Sequence, residues 1–479
     1  ILKLMRYYQN RGYAYANVNP RSRIHFKKRI IDLAMHIEKG KRQTIERIEI
    51  AGNATTLDKV IRRELEVFEG DTYNITKLQL SQRRVFALGY FDKTHPLFGV
   101  KVVSRTGSTP NRIILRFIVK EKSTGNIQAG GGWSSQGPFA SAQFAKNNIF
   151  GTGRYFSFNA QLSFENYTLQ TQFVDPRFLD TRWTFAFSLF NTQQNYQNIL
   201  NLNLRQFNTG GSISGGYTFR NDLSFLLTYK LERISFGTTE DTTLTNLGLI
   251  NLFTGNREAT WTGSLKLSLR YDKRNNRLNP TQGHFQSINI EHANRYLISD
   301  TEFTRISLNS RWYKSLPYDL VLKFNARVGW LISQSSQGLS ALQRYRQGGI
   351  QTIRGYPDFS IGPKRFYPNS ASSAHNLSEF NWGGNKEFQF NAELEFPLVK
   401  RAGLRGVIFF DAGNVFDNNE YLFQNKRNPN LPLGLLSSVG FGVRWNSPFG
   451  TMRLELGFPL TPRAGDPSYR VHFSIGPSF

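Results

Sequence analysis

The stretch WTGSLKLSLRY, residues 261–271, decides the fold. Trp261, Leu265, Leu267, Leu269 and Tyr271 share one parity, and Ser264, Lys266, Ser268 and Arg270 share the other. Only an extended chain puts alternate side chains on opposite faces. At about 3.3 Å per residue the two end aromatics lie about 33 Å apart. Tilted by about 40°, such a strand covers about 25 Å of a bilayer normal. That is the height of an apolar band between two aromatic girdles.

The pattern recurs along the chain. Trp183, Phe185, Phe187 and Leu189 alternate with Arg182, Thr184, Ala186 and Ser188. Leu322, Phe324, Ala326, Val328 and Trp330 alternate with Lys323, Asn325 and Arg327. Phe388, Phe390, Ala392, Leu394 and Phe396 alternate with Gln389, Asn391, Glu393 and Glu395. A soluble sandwich also alternates, but it keeps its aromatics in a shared core and needs far fewer strands. At roughly 20–25 residues per strand and connection, residues 122–479 hold about 16 strands. We therefore expect a mostly β protein: a 16-stranded transmembrane antiparallel barrel with apolar residues toward lipid and charges toward the lumen.

Composition agrees. The 479 residues include 40 Phe, 20 Tyr and 41 Gly but only 3 Met, a balance that suits strands and turns. Cysteine is absent, which excludes a disulfide framework, a thiol nucleophile and a cysteine zinc site. Mean hydropathy is −0.42, with no apolar run long enough for a membrane helix. The net charge of +26 fits lipid headgroups, lipopolysaccharide or a solvated cationic lumen. The basic residues are spread along the chain without a cluster, so nucleic acid is not expected as a partner. The opening ILKLMRYYQ reads as the middle of a helix without a signal peptide, as in a mature or truncated fragment.

Ahead of the barrel the period changes. QTIERIEI reads as a strand, and TTLDKVIRRELEV as a helix burying Leu57, Val60, Ile61 and Leu65. A second helix from about Asn74 turns Ile75, Leu78, Val85 and Leu88 inward and stops at Gly89. Strands at about 97–104 and 112–120 complete a βααββ domain over residues 43–121. YYQNRGYAYANVNP (7–20) parallels RRVFALGYFDKTHP (83–96), and IIDLAMHIEKG (30–40) parallels IILRFIVKEKS (113–123). Residues 1–42 thus read as the back half of an earlier copy of the same domain.

Catalytic patterns are missing. HExxH, GxSxG and GxxxxGK[ST] do not occur, the seven histidines are scattered, and GTGRYF (151–156) reads as a turn. Asn53-Ala54-Thr55 matches a glycosylation sequon but reads better as a turn before a helix. We expect no enzyme, no cofactor and no metal.

One loop stands out. GGIQTIRGYPDFSIGP (348–363) lies in a connection at about 333–386, too long for an idle barrel loop. Folded into the lumen, Arg354 requires an anionic partner. In LRGVIFFDAGNVF (404–416), Leu404, Ile408, Phe410 and Ala412 face lipid, so Arg405, Phe409 and Asp411 face inward, as do Glu393 and Glu395. Asp411 is the expected partner and Glu395 the next candidate. The first barrel strand, about 125–135, carries Gly125, Gly130, Gly131 and Gly132, and the closing strand, about 468–476, is followed by Pro477. Glycine and proline weaken both edges, so a seam is expected between them. In the closing strand Tyr469, Val471, Phe473 and Ile475 share the parity of the terminal Phe479, which reads as an interfacial aromatic at the strand's end.

The motifs IRGY (353–356), FFDAGNVF, SPFGTMRLELGFPL (447–460), GNATTLDKVIRRELEVFEGD (52–71), LGYFDK (88–93) and NNIFGTGRYFSFNAQLS (147–163), with terminal Phe479, resemble the BamA family of outer-membrane β-barrel assembly factors. The resemblance covers nearly the whole chain. It implies periplasmic POTRA domains before a barrel in the outer membrane of a Gram-negative bacterium. It implies that Ile353, Arg354, Gly355 and Tyr356 dock on Phe409, Asp411 and Gly413, with Phe479 as the chain's own assembly signal. Implied partners are unfolded outer-membrane barrel clients, accessory assembly lipoproteins, periplasmic chaperones, and outer-membrane lipid and lipopolysaccharide. The implied activity is client folding and insertion through the lateral seam. TamA-like autotransporter assembly, two-partner secretion and a passive porin are the rival readings.

Overall fold

The structure is a computed structural model. It describes the chain except at residues 27–28, 135–136, 164–165, 196–203, 221, 239–258, 277–278, 335–342, 369–376, 427, 448–449 and 476–479. The chain divides into two units, residues 1–126 with 145–156 and residues 127–144 with 157–479.

The first unit opens with helix α1 (Leu2–Gln9) and an antiparallel pair, β1 (Asn17–His25) and β2 (Ile30–Glu38). A βααββ domain follows: β3 (Thr44–Ala51), α2 (Asp58–Arg62), α3 (Ile75–Ala87), β4 (Lys101–Thr106) and β5 (Arg112–Ile118). Its sheet order is β3-β5-β4, with β3 parallel and β4 antiparallel to the central strand. Alternation in β5 drives Ile113, Leu115 and Phe117 into the core beside Val60, Ile61, Leu78 and Val85 of the helices. The Asn74 side chain caps α3 by accepting the Lys77 N–H at 3.0 Å. Gly12 and Gly89, matched in the internal repeat, both take left-handed angles (φ +99° and +76°).

Two readings need correction. Helix α2 has only five residues, and Leu57 is exposed rather than buried. Leu65 and Val67 are both buried beyond it, a spacing of two that a helix cannot place on one face. Strand β4 begins at Lys101 rather than near 97. Before it a turn closes between His95 and Gly99, with Gly99 at φ +81° and Leu97 exposed.

Sixteen strands form one antiparallel sheet, the wall of a transmembrane barrel. The first are β6 (Gly125–Ser134), β7 (Gly137–Ile149), β8 (Arg154–Ser163), β9 (Tyr167–Asp175) and β10 (Trp183–Asn195). Next come β11 (Leu204–Arg220), β12 (Leu223–Thr238), β13 (Ala259–Asp272), β14 (Gly283–Ala293), β15 (Phe303–Ser315) and β16 (Val321–Ser333). A short hairpin of β17 (Lys364–Pro368) and β18 (Leu377–Asn381) lies inside the long loop. The wall resumes with β19 (Lys386–Val399), β20 (Leu404–Phe416), β21 (Leu436–Ser447), β22 (Gly450–Pro459) and β23 (Arg470–Ile475).

The faces sort as the alternation requires. On β13, Trp261, Leu265, Leu267 and Leu269 are exposed, while Thr262, Ser264 and Ser268 are buried. Every wall strand pairs with its neighbour in the chain, β16 and β19 meeting across the loop. The ladder ends at β6 and β23. Among the described residues no strand pairing joins those two, so the barrel stands open there.

Candidate functional site: the loop lock on the inner wall

The long loop returns onto the inner face of β19–β23. Its tip is shaped by its own backbone: the Gly349 N–H reaches the carbonyls of Ile353 (3.1 Å) and Tyr356 (3.2 Å). That tight turn presents Arg354 to the wall. Gly355 takes φ +88°, an angle open to glycine at little cost.

Arg354 is 1% exposed and Asp411 fully buried. The Arg354 Nε and Nη2 donate to Asp411 at 2.7 and 2.6 Å, and the Arg354 backbone N–H adds a third bond at 3.0 Å. Nη1 donates to Glu393 (2.7 Å) and to Glu455 (2.9 Å). The guanidinium lies 3.5 Å over the Phe409 ring. Burying a guanidinium costs several kcal/mol, and only a full set of charge-assisted bonds offsets that. Here four such bonds and an aromatic face supply it.

Apolar contacts and close backbone approach complete the fit. Ile353 and Tyr356 are buried with Ile361 and Leu436, and the Tyr356 hydroxyl lies 3.1 and 3.0 Å from the carbonyls of Ser437 and Thr461. Gly413 leaves room for the loop: a Cβ there would fall 2.9 Å from Ile353 Cδ1 and 2.6 Å from the Phe388 carbonyl. At Gly457 a Cβ would fall 2.5 Å from the Gly355 nitrogen. Gly440, opposite Phe409 in the ladder, leaves space for its ring.

Arg354, Asp411, Phe409 and Gly413 thus meet at one place, with Ile353, Gly355 and Tyr356 around them. Glu395 does not join them. It pairs with Lys323 and Arg405, and with Arg444 at 3.7 Å. The reason is register: Glu395 lies two residues beyond Glu393 on the same face of β19, past the reach of the guanidinium.

Sequence reasoning missed the rest of the lock. Glu455 bonds Arg354, Arg444 (2.8 Å) and Arg453 (3.0 Å) together, and Arg444 also holds Glu393 at 2.7 Å. His472 on β23 accepts the Gly355 N–H at 2.9 Å. A signal existed in MRLELGF, where Arg453, Glu455 and Gly457 alternate with Met452, Leu454 and Leu456.

At the expected seam, Gly130, Gly131 and Gly132 lie on β6 and Phe473 and Ile475 on β23. A Cβ at Gly130 would meet only the Ser141 hydroxyl, at 3.7 Å. On its other edge β23 pairs with β22 from Met452↔Ile475 to Gly457↔Arg470. Phe479 lies outside the described residues.

A sixteen-stranded wall locked by an inward loop is a specific combination, and comparison with known proteins matches it. Residues 148–479 match the Omp85 superfamily domain, and residues 43–122 match the POTRA family, described as a surface antigen variable number repeat. The chain belongs to the Omp85 superfamily. Among Omp85-type relatives, the outer membrane protein assembly factor BamA of Neisseria meningitidis serogroup B is 26% identical over 508 residues, covering 98% of this chain and 60% of the relative. BamA of Neorickettsia risticii is 27% identical over 483 residues, covering 99% and 60%. The chain therefore spans about 60% of the length of these curated relatives. In fold it matches the crystal structure of BamA from Haemophilus ducreyi lacking POTRA domains 1–3, with a TM-score of 0.78 at 20% identity, over 100% of this chain and 92% of that one. CdiB from Escherichia coli matches less well, with a TM-score of 0.57 at 13% identity over 98% and 82%.

Proposed function

We propose that this chain is the barrel subunit of a BamA-type outer-membrane assembly machine, which folds and inserts β-barrel proteins through the gap between β6 and β23. The observation that carries this reading is the pair of edges left unjoined among the described residues of an otherwise continuous sixteen-strand ladder. An open edge offers unpaired N–H and C=O groups, which is what an incoming strand needs. Lipid supplies no hydrogen bonds, so a strand entering hydrocarbon is strongly favoured when the sheet edge provides them. The work is templating rather than enzyme chemistry. Membership in the Omp85 superfamily and the names of its BamA relatives support the reading.

In this proposal the barrel sits in the outer membrane and the POTRA domain in the periplasm, where it receives unfolded clients from chaperones and contacts accessory lipoproteins. Outer-membrane lipid and lipopolysaccharide surround the apolar face. Reconstitution into liposomes with an urea-unfolded barrel client tests it. Client folding faster than in protein-free vesicles is the expected result. Equal rates would sink the reading, and passage of client into the vesicle lumen would instead mark a secretion transporter.

A further inference from the structure

The last strand, β23, has six residues and is hydrogen-bonded along one edge among the described residues. The loop gives it further anchors. Arg470 lies 3.6 Å from Asp358 of the loop, and His472 Nε2 accepts the Gly355 N–H at 2.9 Å. The Gly355–Gly457 approach presses the loop tip against β22, beside the His472 ring.

That bond sets the state of the imidazole. Nε2 accepts an N–H only through its lone pair, so the ring is neutral with its hydrogen on Nδ1. A protonated ring carries hydrogens on both nitrogens and turns N–H against N–H. The charged groups around it are Arg470 on its own strand, Glu455 and Arg453 on β22, and Arg354 on the loop, with Arg444 behind Glu455. His472 is buried and directly opposite Glu455 in the ladder.

We propose that His472 is a positioning residue that ties the docked loop to the last strand, so that loop docking and the seat of β23 form one equilibrium, and that protonation of its imidazole loosens both. The bearing of this tie on client insertion rests on the function proposed above. The tie itself does not, and its test reads the loop without any client.

Hydrogen exchange read by mass spectrometry on the whole purified chain supplies that test. Protection of peptides covering 353–357 and 470–475 is taken relative to the intrinsic exchange rate, which removes the ordinary pH dependence. His472→Leu removes the acceptor, and His472→Gln keeps an acceptor at similar reach without a titrating ring. At about pH 7.5 the Leu variant should lose roughly five- to tenfold protection in both peptides, the scale of one lost hydrogen bond, while Gln stays near wild type. Between about pH 7.5 and pH 4 the wild type should lose more protection than the Gln variant, because only the wild type titrates at this position. A folded Leu variant with wild-type protection would overturn the proposal. So would an equal acid loss in wild type and Gln, which would assign loop release to the carboxylates alone. Should His472→Leu not fold, the wild-type and Gln comparison decides by itself.

Discussion

Arg354 holds Asp411 through three hydrogen bonds, two from its guanidinium and one from its own backbone N–H, so the loop's position and its charge are fixed by the same carboxylate. Five cations share this network (Arg354, Arg405, Arg444, Arg453 and Lys323) with four carboxylates (Asp411, Glu393, Glu395 and Glu455). Without Arg354 the wall is balanced, four against four. Removing Asp411 leaves five against three.

The two alanine variants should therefore differ. Arg354→Ala should undock the loop and lower client insertion while leaving the barrel's thermal stability nearly unchanged. Asp411→Ala should also destabilise the barrel, by about 3–5 kcal/mol, because the buried Arg354 loses its Asp411 partner while the cations around Glu393 and Glu455 stay in place. The double variant should be no worse than Asp411→Ala alone. Heat-modifiable migration on gels and client-folding rates measure both effects, and additive losses would mean that the pair does not interact.

Glu455 should matter more to the loop than Glu395. It bridges Arg354 to Arg444 and Arg453, whereas Glu395 serves Lys323 and Arg405 at the edge of the network. Glu455→Gln should raise protease access to the loop about tenfold or more, since one buried charge-assisted bond is worth about 1.5–3 kcal/mol. Glu395→Gln should leave it close to wild type. Limited proteolysis followed by fragment mapping distinguishes the two.

How much of this the sequence makes legible depends on what each feature needs. Strand parity is a local property, so the inward aim of Asp411 and Phe409 follows from LRGVIFFDAGNVF alone. Which further inward acid meets Arg354 depends on the stagger between strands, a long-range property that alternation leaves open, so parity offers Glu395 as the next candidate after Asp411 and does not single out Glu393 or Glu455. The short α2 fails for a related reason. Its apolar residues match helix spacing up to Ile61, but the core takes Leu65 and Val67 from the irregular segment that follows the helix, and packing overrides local preference. His472 carries no local signal at all, because its partner is a backbone N–H of a residue more than a hundred positions away.

Close packing of glycine backbones gives a steric prediction. A Cβ at Gly457 would lie 2.5 Å from the Gly355 nitrogen, with only backbone there to yield. Gly457→Ala should push the loop tip off the wall while keeping the β22 ladder, since alanine is compatible with a strand. Hydrogen exchange should then speed up at 353–357 and not at 452–456. Unchanged exchange at the loop tip would show that the wall can shift to make room.

The first unit offers a pH test outside the barrel. Glu121 accepts the backbone N–H groups of Thr55 (2.9 Å) and Thr56 (2.6 Å) at the entry to α2. Burial pushes its carboxyl up, but the bonds from Thr56 and Thr55 outweigh that and hold it below the usual glutamate range. A carboxyl lowered on folding stabilises above its unfolded value, near about pH 4.3, and the effect fades as pH falls through the lower folded value. Amides 55 and 56 should thus stay protected at neutral pH and lose protection only in strong acid. Glu121→Gln should lower that protection by less than about tenfold at neutral pH and remove its acid dependence. An acid midpoint at or above the ordinary glutamate value would contradict the assignment.

The seam carries the last prediction. Gly130, Gly131 and Gly132 deprive β6 of cross-strand side-chain contacts, and among the described residues β23 offers six residues to a partner. Joining these edges therefore gains little, and leaving them apart exposes the hydrogen-bonding groups that an incoming strand can use. The chain has no cysteine, so a pair placed within 126–132 and 470–475 would be the only thiols present. A disulfide needs Cα atoms about 5.5–6 Å apart, and the bond can form only when the two edges meet. Oxidation should then trap a closed barrel, stop client insertion, and leave the wall folded; reduction should restore the rate. Gly130→Ala serves as a control for sterics, because its Cβ has space. If it slows insertion, the loss reflects a stiffer edge strand rather than a clash. Client folding at the unlinked rate in the oxidised protein would show that insertion does not pass between β6 and β23.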